Sequence, residues 1–135
     1  MRQLIQLIQT QLSGVVDRDT DILLIADPDI IPAGVRFPCV GIKDGKTDIS
    51  ELAGGVLEKS LPVDVYYYDR LQPGDDCITD FLLLGETISA KLTENYLAGY
   101  VKAVSPVSET PIRVMYTKSG LILQKGLSYQ YETEE

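Results

Sequence analysis

The sequence predicts an α+β domain, an antiparallel sheet built from hairpins with two main helices packed on one face. Three observations predict it. Two stretches, one at the start of the chain and one in its middle, carry apolar residues at helical spacing. The other regular stretches alternate apolar and polar residues in the two-residue rhythm of strands. Those strands cluster around turn signals instead of alternating singly with helices, which favours hairpins over βαβ units. The 135 residues fit one domain, residues 1–135. A domain of this length buries roughly two-thirds of its unfolded surface and holds a core without staples.

The first helix is set by Leu4, Ile5, Ile8, Leu12 and Val15, with glutamines between them, and frays near Gly14. Asp17 to Asp21 is a polar connector. Ile22 to Ala26 is a short apolar run that reads equally as a buried strand or a helix end. Asp27-Pro28-Asp29 signals a turn, and Pro32, Gly34 and Pro38 keep the next stretch extended. Val35 to Lys43 reads as a strand. Asp44-Gly45 then signals a hairpin whose returning partner is Thr47 to Leu52. Gly54-Gly55 breaks that segment, and Leu61 to Tyr68 is the next strand, with Pro62 fitting a strand start or edge.

The second helix is expected over Asp76 to Leu97, with Asp75 or Asp76 at its positive end and Gly99 just past its end. Cys77, Ile78, Phe81, Leu84, Ile88 and Leu92 form one apolar stripe. Leu82 and Leu83 widen it, so the helix is expected to be well buried. A closing hairpin turns at Lys118-Ser119-Gly120. On its second strand Leu121, Leu123, Leu127, Tyr129 and Tyr131 share one face, and Gln124, Ser128, Gln130 and Glu132 the other. Thr133-Glu134-Glu135 reads as a frayed acidic tail.

Charge narrows the function. Twelve basic residues stand against twenty acidic ones with no histidine, a net charge of −8. Gripping phosphates needs a basic patch, and here the basic residues are scattered and outnumbered. Neither nucleic acid nor an anionic membrane is expected as a partner. Such a balance suits a wall past which DNA slides without sticking. No apolar run reaches the roughly 18 residues of a membrane span, and glutamines interrupt the start too often for a secretory signal.

The sequence offers no catalytic, cofactor-binding or metal-ligating set. Without histidine there is no Ser-His or Cys-His pair and no histidine-ligated metal. Cys39 and Cys77 are far apart and read as reduced thiols. Gly41 to Thr47 resembles a phosphate-binding loop but has one residue too few between its glycines and opens no helix. Asp17 to Asp21 begins like a calcium loop, yet Ile22 stands where glycine is needed and Pro28 where glutamate is needed. Asp75, Asp76, Asp80 and Glu86 read as helix-end and surface charges rather than an acid–base pair.

The unusual feature is Tyr66-Tyr67-Tyr68. Alternation gives Val63, Val65 and Tyr67 to the core and leaves Tyr66 and Tyr68 on the other face. Two readings stand: Tyr66 and Tyr68 are a subunit contact, or a helix or loop covers them.

The layout resembles the tail-terminator and tail-completion (neck) proteins of long-tailed bacteriophages. The likeness spans nearly the whole chain. It rests on an amphipathic first helix and the proline-rich strand entry Ile31 to Val40. It also rests on the strand Val63 to Tyr68 before a long helix, and on the alternating last strand Gly126 to Glu132. These are patterns rather than a signature motif. The resemblance implies an α+β fold without catalytic residues and a self-assembled, usually hexameric, ring that caps the tail tube. Tail-tube and head–tail connector proteins would be its neighbours, and the virion its location, with the host cytoplasm during assembly. The alternatives are a small cytosolic binding or adaptor domain with no viral role and, last, a carboxylate-only enzyme.

Overall fold

The computed structural model describes residues 1–93 and 95–134. Among them run helix α1 (Arg2–Gln11), strands β1 (Ile22–Leu24), β2 (Cys39–Asp44), β3 (Asp48–Glu51) and β4 (Leu57–Arg70), helix α2 (Asp75–Leu92), and strands β5 (Ala103–Glu109), β6 (Arg113–Thr117) and β7 (Gly120–Glu134). All seven strands join one sheet in the order β1-β2-β4-β7-β5, with β3 also on β4 and β6 also on β7. Only the β1–β2 pair is parallel. The α+β class and the largely antiparallel sheet are as the sequence predicts.

β4 and β7 form the spine, paired from Glu58–Glu134 to Arg70–Ile122. Alternation sends Leu61, Val63, Val65 and Tyr67 of β4 and Leu123, Leu127, Tyr129 and Tyr131 of β7 to one side. There they pack with Leu4, Ile5, Ile8 and Leu12 of the first helix and Phe81, Ile88 and Leu92 of the second in a single core. Both helices therefore cover the same face. The Tyr67 and Phe81 rings lie 4.5 Å apart between centroids, a pair worth about 0.5–1.5 kcal/mol beyond its buried area.

Several elements differ from the sequence expectation. Ile22 to Leu24 settles as a strand, paired in parallel with β2. Asp44-Gly45 is not a hairpin turn, because β2 and β3 both pair with β4, end to end along its long edge. This places Val40 opposite Tyr67 and Ile42 opposite Val65, and both Val40 and Ile42 are buried. The true hairpin turn is Ala53–Gly55, between β3 and β4, where Gly54 and Gly55 take φ of 84° and 79°. Pro62 sits inside β4, not at its start. Its carbonyl accepts from Gly45 N at 2.9 Å, so its missing N–H points into the gap between β2 and β3.

Helix α2 stops at Leu92, short of the expected Leu97; Glu94 lies outside the described residues. It is buried on one side only, through Phe81, Gly85, Ile88 and Leu92. Leu82 and Leu83 are 41% and 57% exposed, because neighbours turned about 100° from that stripe cannot also face a sheet. Gly74 is the N-cap, with Asp75 and Asp76 in the first turn. Strand β5 occupies a stretch for which the sequence names no element. Thr133 and Glu134 are not frayed but belong to β7, and Glu135 lies outside the described residues.

Candidate functional site

The sheet face away from the helices divides into a covered half and an open half. Residues 27–37 form a strap across the covered half. Beneath it Cys39, Tyr68, Met115 and Ile122 make a small second core, joined by Ile31, Val35, Phe37 and Tyr66. Hydrogen bonds fasten the strap. Tyr68 Oη and Gln124 Nε2 both donate to the Pro28 carbonyl at 2.7 Å, Arg113 pairs with Asp29, and Arg18 Nη2 donates to the Gly34 carbonyl at 3.2 Å.

Both tyrosines of the proposed contact lie on this face, as alternation requires. Tyr68 is only 3% exposed, since the strap covers it, and offers no free area. Burial, above all, holds its phenol well above the ordinary value. Tyr66 keeps some exposure beside Pro111 and Arg113. Its ring lies over Gly126, where a Cβ would come within 2.8 Å of Tyr66 Cε1. No sequence signal announced the strap, whose anchors are 40 and 96 residues away from Pro28.

The open half is polar. Ser128 Oγ donates to Asp64 Oδ1 at 2.7 Å, and Gln130 Nε2 bonds Ser60 Oγ. At its lower end Lys102 Nζ bridges Glu58 Oε2 at 2.6 Å and Glu134 Oε1 at 3.0 Å, tying both strands at that end of the spine to the entry of β5. These groups satisfy one another and present a smooth hydrogen-bonded surface with acidic excess.

The two sheet margins are also open. On one side β3 and its turn stand clear, with residues 48–55 all exposed and Ile49 at 60%. On the other, β5 and β6 carry exposed Val107, Val114 and Tyr116, the last at 86%. Two hollows that share Ser89 and Glu109 lie between β5 and α2, one lined also by Leu127 and Tyr129 and the other by Tyr67, Leu82, Glu86 and Lys125.

The polar groups of the connector are occupied structurally. Asp21 accepts from Arg18 Nε and Nη2 at 2.8 Å each and from Arg36 N at 3.2 Å, and Arg18 holds its carboxyl below the usual range. Asp19 is likewise lowered by Ser13 and Gly14 N. Among the described residues no group of three or more His, Cys, Asp or Glu is arranged to hold a metal ion. Cys39 and Cys77 are both free thiols.

No protein-family model matches the sequence, and no curated protein does. Among solved structures, the fold is similar to a chain from the virion of a native gene transfer agent (GTA) particle. That likeness has a TM-score of 0.52 at 11% identity and covers 98% of this chain and 95% of that one.

Proposed function

We propose that the chain is a structural subunit of a phage or phage-like particle. It assembles with its own copies into a ring, hexameric in its usual form, that terminates or completes the tail tube at the head–tail junction. The single observation that carries this reading is the end-to-end likeness of fold to a virion chain. That likeness agrees with the resemblance seen independently in the sequence layout. Three features of the molecule support it. Its open sheet face carries paired polar groups, Ser128 with Asp64, Gln130 with Ser60 and Lys102 with Glu58 and Glu134, with acidic excess, a surface DNA would pass without adhering. Its two sheet margins are unlike each other, which is what a ring of identical subunits needs at each contact. Arg18, Asp21, Lys102, Glu58 and Glu134 are engaged in ion pairs that hold the fold together.

Within this reading Tyr66 stays a subunit contact. Tyr68 would reach a neighbour only on displacement of the strap. Native mass spectrometry over a concentration series is the test, with wild type beside Tyr66→Ala. A closed oligomer that grows with concentration is expected, weakened in the variant. A protein that stays monomeric at millimolar concentration and forms no rings by electron microscopy would overturn the ring. If the oligomer forms and Tyr66→Ala leaves it unchanged, the choice of contact is wrong.

A further inference from the structure

Two exposed surfaces at opposite corners of the sheet match in charge and in apolar content. The first is the β3 arm. Residues 47–57 hold Asp48 and Glu51 and no lysine or arginine, with Ile49 and Leu52 exposed beside them. All four residues of β3 are exposed, and its outer edge is open because β3 pairs only with β4 among the described residues. A two-stranded hairpin standing alone is marginal in water. Ile49 and Leu52 are thus apolar groups on an arm that its own chain does not cover.

The second surface is the β6–β7 hairpin. Residues 110–131 hold Arg113, Lys118 and Lys125 and no aspartate or glutamate, in a chain whose net charge is −8. Val114, Tyr116 and Leu121 are exposed there, and among the described residues β6 pairs only with β7. By strand alternation Ile49 lies on the helix-bearing side of the sheet, opposite Lys59, and Val114 and Tyr116 lie on that same side, opposite Leu123 and Leu121. A sheet continued from one edge to the other would keep these apolar groups together.

The two surfaces cannot meet within one chain. β3 pairs with the first residues of β4, and the β6–β7 hairpin adjoins its last, Arg70 opposite Ile122. The 14 residues of β4 hold them roughly 40 Å apart.

We infer that the acidic β3 arm of one copy docks on the basic β6–β7 hairpin of the next, making the head-to-tail contact of the oligomer. This rests on the self-assembly proposed above and names the surfaces that perform it. Two different patches that fit each other give a heterologous contact, which closes into a ring when the rotation permits. Charge steers the encounter and sets its direction, while Ile49 and Tyr116 supply apolar area.

Charge exchange tests the inference. One variant carries Asp48→Lys and Glu51→Lys, so both of its surfaces are basic. The other carries Tyr116→Glu and Lys118→Glu, which bring the second surface from three positive charges to none and make its tip, residues 116–120, acidic. All four side chains are exposed, and Arg113 is left alone because it also pairs with Asp29. Melting curves confirm that both variants fold, and Glu51→Lys and Lys118→Glu alone serve if either double variant does not. In native mass spectrometry each variant by itself should need at least about tenfold more protein than wild type to associate. An equal mixture should restore assembly with the two variants alternating, and raised salt should weaken the wild-type oligomer. Variants that each assemble like wild type would overturn the docking and leave the ring standing. So would a mixture that assembles no better than its parts. A wild type that never associates would overturn both.

Discussion

Replacing Gly85 with alanine separates helix propensity from packing at the centre of the fold. Gly85 lies inside α2, where alanine is ordinarily preferred by about 1 kcal/mol. Here a Cβ would sit 2.1 Å from Tyr67 Oη and 2.6 Å from its Cζ, well inside van der Waals contact. Tyr67 cannot swing away, being fully buried with its ring against Phe81. Forcing a methyl group into such a contact costs about 1–3 kcal/mol. Counting the propensity gain, a net loss of about 0–2 kcal/mol is expected, or up to roughly 8 °C in melting temperature for a domain of this size. Thermal melting by circular dichroism reads it. Ala90→Gly, at an exposed position of the same helix, is the control and should also lose about 1 kcal/mol. Tyr67 Oη has no hydrogen-bond partner among the described residues, so Tyr67→Phe alone should be near neutral. It should rescue Gly85→Ala in part, since the ring carbon remains. A Gly85→Ala protein melting about 4 °C above wild type would refute the close packing of α2 on Tyr67.

The remaining predictions concern charge and thiols. Arg18 lowers the Asp21 carboxyl, so this pair stabilises the fold above the ordinary aspartate value near ~3.9 and ceases to as pH falls through the lower folded value. Melting temperature should drop below roughly pH 4, and Asp21→Asn should melt lower at neutral pH with a shallower acid decline; an unchanged acid profile would contradict this. Burial pushes the Cys39 thiol up to about 12, whereas Cys77 is half-buried at the start of α2. A thiol reagent should therefore modify Cys77 in the native protein and Cys39 only on unfolding, and two fast thiols would contradict it. DNA should not bind appreciably in an anisotropy titration at low salt, given the net charge of −8, and micromolar, salt-sensitive binding would show that the basic β6–β7 hairpin grips phosphates.

The strands that face the helices were legible because a period of two survives wherever one side is buried. Alternation gives Val63, Val65 and Tyr67 to the core and puts Leu121, Leu123, Leu127, Tyr129 and Tyr131 on one face, and the structure buries all of these in the core except Leu121, which is 41% exposed. What alternation does not carry is partnership between strands. Asp44-Gly45 has the residues of a hairpin turn, but β4 is long enough to take β2 and β3 in line, and both pair with it. β5 escaped because it is an exposed edge strand with Pro106 and a register shift between Pro106 and Ser108, and so has neither an apolar rhythm nor a regular one. Of the candidate contact, the face of Tyr66 and Tyr68 was legible and the burial of Tyr68 was not. The strap that hides it is held by single hydrogen bonds to distant residues, which leave no periodic trace. The open polar strip was half legible: Ser128 and Gln130 were placed on the outer face, but their partners Asp64 and Ser60 come from the pairing of β4 with β7.

Cryo-electron microscopy of phage-like particles produced with this chain tests most directly the proposed ring at the junction of head and tail. A closed ring of this fold is expected between the tail tube and the head, with the open polar sheet face exposed to the path of the DNA and the β3 arm of each copy resting on the β6–β7 hairpin of the next. A particle whose junction is fully accounted for by other chains, or one in which this chain occurs as an isolated copy away from the tail, would contradict it.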